Sequence, residues 1–240
     1  MSTVARSIGE FPATRSVITD EGVSLLAARP DVDDLALRFC TNSIDSKALL
    51  LGNEDVGLGS NSNVWAVDGV AIKLSTVSTG RKDWKEKDFI FPANLVGQLE
   101  FLTALRRHLL DRSDGSITVP MQYFALQNQK GEFLKAEEHM VGWATLSSLA
   151  IAQGYSYEQA QALNKTVKSR LALGVGSALL RRGIDDVGTN FGEPLISENI
   201  LVPENADDLA SAPFCIIDQP GKGIMGRLIA GAVKLQAMVS

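Results

Sequence analysis

The alternation of apolar and polar positions divides the chain into a strand-rich stretch and a helix-rich stretch. "NVWAV" (63–67) and "VAIKL" (70–74) are two β-rich runs separated by Asp68-Gly69, a strong hairpin signal. "ITVPMQYFAL" (117–126) and "EFLKAEEHMV" (132–141) predict two more strands, with "QNQKG" as the turn. Between the pairs, Leu95, Leu99, Leu102, Leu105 and Leu109 recur at helical spacing, which predicts an amphipathic helix over 92–110. "WATLSSLAIAQG" (143–154) reads as helix. "SYEQAQALNKTVKSRLALGVGSALLRRG" reads as a long helix from near Ser156, with Glu158 in its first turn, to Gly183. "NILV" and "FCII" read as a late strand pair, and "GRLIAGAVKLQAMV" as a last helix. Before all of this, residues 1–18 read as loose. Residues 20–29 and 31–40 suit two short helices broken at Pro30. The order gives an α+β layout of two unequal lobes, with boundaries at 1–46 (an N-terminal extension), 47–138 and 139–240.

Composition narrows the function classes. The chain has 240 residues, 45% hydrophobic and 21% charged, with net charge -5 and a pI of about 5.1. No Lys/Arg block runs through it, so no nucleic-acid partner is expected. No run of 18 apolar residues is present, so no membrane span is expected. The N-terminus has no apolar segment of the secretory type. Cys40 and Cys215 stand far apart among apolar neighbours, which reads as two buried thiols in a reducing, cytoplasmic setting.

The chemistry-bearing stretch is "GLGSNSNVWAVDGVAIKL" (57–74). Gly57 and Gly59 with Val64 fit the first part of a G-x-G-x-x-G-x-V loop, with Ser62 at the third glycine position. Glycines at a strand-to-strand turn let backbone N–H groups, including that of Ser60, approach phosphate oxygens without a Cβ in the way. The plainer reading is a pair of turn glycines. Val70-Ala71-Ile72-Lys73 then places one lysine near the end of an apolar strand, where its ammonium can reach phosphates. A dinucleotide fingerprint is disfavoured, because these glycines precede a strand and not a helix.

Together these residues resemble the glycine-rich loop and following strand of the protein-kinase-like superfamily. The resemblance covers about residues 50–220 and implies a bilobal kinase-like fold with a strand-rich N-lobe and a truncated helical C-lobe. It implies ATP and Mg²⁺ as cofactors. Gly57, Gly59, Ser60, Val64 and Ala71 would line the nucleotide, and Lys73 would position its phosphates. Glu100, in the predicted helix, would pair with Lys73. Backbone groups around Glu138 and Met140, in "AEEHMVG", would hold the base as a hinge. Asn199 of "SENILV" and Asp218 of "CIIDQPG" would hold metal.

The match departs from the family pattern in two places. Pro194 stands five residues before Asn199, where the family carries its catalytic aspartate, and no His-Arg-Asp occurs. Asp186 or Asp185, after "LLRRGI", would then fill that role through a longer loop. Alternatively, Asp185 to Asn190 gives a second D-x-x-x-x-N register, or the chain has no base and is a pseudokinase. Only residues 219–240 follow Asp218, with no Ala-Pro-Glu element. The C-lobe is thus expected to be minimal, or completed by a protein partner docking on the last helix. The expected function is an atypical phosphotransferase acting on a protein or small-molecule hydroxyl. Nucleotidyl transfer is a variant of that reading, and a pseudokinase-type binding module is the alternative.

Overall fold

A computed structural model describes residues 11–44, 57–58, 63–75, 95–110, 115–175 and 200–217. Among these it is an α+β protein with ten strands and five helices. The elements are β1 (Arg15–Ile18), α1 (Asp20–Ala28), α2 (Pro30–Cys40), β2 (Gly57–Leu58), β3 (Asn63–Val67), β4 (Val70–Ser75), α3 (Leu95–Leu110), β5 (Ile117–Thr118), β6 (Gln122–Gln127), β7 (Phe133–Glu138), β8 (Trp143–Thr145), α4 (Leu146–Ala152), α5 (Tyr157–Val175), β9 (Ile200–Pro203) and β10 (Phe214–Ile216). They fall into two compact units. The first takes residues 1–99 and 121–139, and the second takes 100–120 and 140–240.

The first unit is a six-stranded antiparallel sheet in the order β1-β6-β7-β4-β3-β2. The β3–β4 hairpin forms where Asp68-Gly69 predicts it. Both residues have positive φ, 42° and 83°, and Val67 pairs with Val70. That is the backbone a two-residue turn of the right twist requires. The β6–β7 hairpin closes through Asn128, whose Oδ1 accepts the N–H groups of Lys130 and Glu132, both at 3.0 Å.

One face of this sheet carries Trp65, Val70, Ile72, Leu74, Phe124, Leu126, Leu134 and Ala136. Against it pack Phe11, Leu26, Val32, Ala36, Phe39 and Cys40. The segment read as an N-terminal extension is therefore built into the unit. Its two helices form close to where they are expected, with Pro30 as the first residue of α2 rather than a gap between them. The residues read as loose include β1, which pairs with β6 at the sheet edge. Thr19 joins β1 to α1. Its Oγ1 accepts the Gly22 N–H at 3.0 Å and donates to Gln122 O at 2.7 Å, and its own N–H reaches Tyr123 O at 2.9 Å. Arg29, at the α1–α2 junction, donates to Asp31 and to the Asp68 carbonyl at the tip of the β3–β4 turn.

The second unit holds a four-stranded sheet in the order β5-β10-β9-β8. Its core joins Leu102, Leu105 and Leu109 of α3 to Leu146, Ala150, Leu163 and Val167 of α4 and α5, and to Ile200, Val202, Phe214 and Ile216. All five leucines that predicted α3 are buried. Ser156 and Gln159 cap α5 reciprocally: Ser156 N–H donates to Gln159 Oε1 at 2.7 Å, and Gln159 N–H to Ser156 Oγ at 3.3 Å.

Two expectations change. The single strand predicted over 117–126 is two strands in different sheets, β5 and β6, separated at Pro120, which has no N–H for a ladder. The helix predicted from Trp143 starts at Leu146. Thr145 caps it by accepting the Ser148 N–H at 3.1 Å, and the residues before it form β8. The polar stretch "TGRKDWKEKD" (79–88), which reads as a loop, the end of the long helix (176–183) and the last helix (226–239) lie outside the described residues.

Candidate functional site

Sheet register decides which candidate residues are neighbours. Gly57 pairs with Val64, Val64 with Lys73, Lys73 with Lys135, and Lys135 with Ala125. These five residues form one straight row across five strands. Directly paired residues project from the same face of a sheet. Val64, Lys73, Lys135 and Ala125 therefore share a face, the one opposite the helices α1 and α2. In the adjacent row of that face, Ala66 pairs with Ala71 and Ala71 with Glu137. Three sequence-predicted residues, Val64, Ala71 and Lys73, thus come together, with Gly57 at the end of the row. Leu95, Val96 and Leu99 of α3 pack on the same face with Ala125 and Phe133.

Lys73 is almost fully buried, and its Nζ lies 2.7 Å from Glu137 Oε1. Lys135 is wholly buried, and its Nζ lies 2.6 Å from Glu137 Oε2. The second contact has ion-pair distance but not hydrogen-bond geometry. One carboxylate is therefore bracketed by two ammonium groups, one on each oxygen. The spacing follows from the strand repeat. Lys135 and Glu137 are two residues apart on β7, so both project from one face, and Glu137 meets Lys73 diagonally. Burial alone pushes the Glu137 carboxyl up. The charges of Lys135 and Lys73 outweigh that and hold it below the ordinary carboxylate range. Removing an ion from water costs several kcal/mol, so three charged groups here persist only because each meets an opposite charge.

The sequence singles out Lys73 but not its buried ionic neighbours, Glu137 and Lys135. Their signal was present as "KAEE" on a predicted strand, but charged residues at period two ordinarily mark a solvated face.

The remaining candidates are placed as follows. Glu100 is half-buried on α3. Glu138 ends β7, and its carboxylate accepts the Met121 N–H at 2.9 Å. The next residue, His139, donates its N–H to Gly69 O at 3.0 Å, which ties the end of the strand to the hairpin turn. Met140 is half-buried and its carbonyl accepts the Trp143 N–H. The strands expected to border the metal ligands do form. β9 and β10 are antiparallel, with Ile200 opposite Ile216. Asn199 and Asp218 themselves lie outside the described residues, as do Gly59, Ser60, Asp185 and Asp186. Among the described residues, no group of three or more His, Cys, Asp or Glu could hold a metal ion. No described helix is long and apolar enough to cross a membrane. No protein-family model matches the chain, and no curated protein matches it.

Proposed function

We propose that the chain is an atypical, ATP- and Mg²⁺-dependent phosphotransferase built on a bilobal kinase-like plan. The observation that carries this reading is the row Gly57–Val64–Lys73, which sets a strand glycine, an apolar residue and a buried lysine side by side. An apolar platform of Val64 and Ala71 suits a purine face, and a fixed ammonium beside it suits phosphate oxygens. In this reading Glu100 also pairs with Lys73, backbone groups around Glu138 and Met140 hold the base, and Asn199 and Asp218 bind Mg²⁺. Asp186 or Asp185 orients the acceptor hydroxyl, on a protein or a small molecule. Phosphoryl transfer relies chiefly on positioning and charge neutralisation, so this small set of groups is chemically sufficient.

The test is calorimetric titration with ATP, with and without Mg²⁺, of the parent chain and of Lys73→Met. Methionine keeps the length of the stem and removes only the charge. Metal-dependent binding that weakens at least tenfold in the variant is the expected result. No binding by the folded parent chain overturns the reading. Pro194 at the usual base position favours a second reading, a nucleotide-binding regulatory module without turnover. Hydrolysis or transfer from ATP that disappears in Asp218→Ala would exclude that module.

A further inference from the structure

We infer that Glu137 is a positioning residue for Lys73, holding its ammonium from within the sheet itself. The inference rests on the nucleotide reading above and adds a residue that reading did not contain. Three observations carry it. Glu137 Oε1 lies 2.7 Å from Lys73 Nζ, within charge-assisted hydrogen-bond range. The carboxylate is itself buried, and its other oxygen lies 2.6 Å from the ammonium of Lys135, a wholly buried lysine on the same strand. All three residues stand on the two central paired strands, β4 and β7, whose register is continuous from Val70↔Glu138 to Ser75↔Phe133.

The consequence is geometric. A lysine side chain has four rotatable bonds and loses considerable rotamer entropy when one position is imposed on it. Here that ordering is complete before a ligand arrives. Lys135 fixes Glu137, and Glu137 fixes Lys73, so the ammonium is presented at one point of the sheet face beside Val64 and Ala71. Lys135 thus acts through Glu137 and needs no contact with the ligand. A purely structural salt cluster would hold the two strands together and have no bearing on which part of a ligand is bound.

That difference is measurable. ATP and adenosine are titrated calorimetrically into the parent chain, Glu137→Gln and Glu137→Asp. Glutamine keeps the shape and removes the charge, so Lys73 loses its anchor while the apolar platform stays. The expected result is an ATP affinity lower by about 10- to 100-fold, the scale of one interaction with a charged group. Adenosine binding stays unchanged, and aspartate restores part of the loss. If Glu137→Gln does not fold, Glu137→Gln/Lys135→Met removes one charge of each sign and still strips Lys73 of its partner, so the same ATP-selective loss is expected.

Equal ATP affinity in a folded variant and the parent overturns the inference while leaving the nucleotide reading intact. So does an equal fall for ATP and adenosine, which would mark a structural role. A parent chain that binds neither ligand overturns the nucleotide reading, and this inference with it.

Discussion

Gly22→Ala sets two effects of opposite sign against each other. Gly22 lies in the first turn of α1. Alanine is the better helix former by about 1 kcal/mol, so propensity alone predicts a more stable protein. Packing predicts the reverse. A Cβ at Gly22 would run into the Tyr123 carbonyl oxygen, and would lie 2.7 Å from its carbonyl carbon and 3.1 Å from Ile18 Cγ2. The obstacle is backbone near the start of β6, which no rotamer change can move. The helix must shift instead, and the shift strains the Thr19 bonds to Tyr123 O and Gln122 O, at 2.9 and 2.7 Å. Overpacking costs about 1–3 kcal/mol and each weakened hydrogen bond up to about 1 kcal/mol. Less the propensity gain, mid-range values give a net loss of about 2 kcal/mol. For a chain of this length that lowers Tm by about 4–8 °C. Urea unfolding followed by Trp fluorescence, beside a thermal scan, measures it. A Gly22→Ala chain as stable as the parent, or more so, would refute the close approach of α1 to β6.

Two further outcomes follow from buried groups. The folded state holds the Glu137 carboxyl below its ordinary value of 4.5, so the unfolded chain binds its proton more readily. Its stabilisation is complete above about pH 4.5 and is lost as pH falls through the lowered folded value. Urea titrations from pH 7 to pH 3 should show a steep acid loss in the parent and a shallower one in Glu137→Gln, and superimposable slopes would contradict the cluster. Burial pushes the Cys40 thiol up to about 11, and Cys215 is buried as well. Neither thiol should react with a disulfide reagent at pH 8 until denaturant is added, and rapid labelling of the native chain would count against the packing of α2.

What the sequence disclosed and what it hid follow a physical division. Local rules were sufficient where one short stretch determines its own conformation. Asp68-Gly69 dictates its turn, the leucines at 95, 99, 102, 105 and 109 dictate α3, and Ser156 marks the start of α5. Local rules failed where a distant partner decides. Arg15–Ile18 is four residues long and becomes a strand only because β6 lies beside it. Residues 143–145 join a sheet rather than the following helix because β9 pairs with them. The buried charged cluster divides the same way. Lys73 was legible from its own strand, with Val64 and Ala71 as companions. Lys135 and Glu137 look like solvated charges until the pairing of β7 with β4 turns them inward.

The pairing of β1 with β6 has a temporal consequence. Thr14 hydrogen-bonds across to Gln127, 113 residues later in the chain. At ribosomal rates of about 5–20 residues per second, the N-terminal segment waits on the order of ten seconds for the strand that will receive it. Until β6 is made, Val32, Ala36 and Phe39, which the finished protein buries, lack Phe124 and Leu126, part of the sheet face they pack with. β1 thus has to wait for a strand made much later before its pairing is complete. Long-range closure of this kind keeps apolar surface exposed for longer than local pairing would.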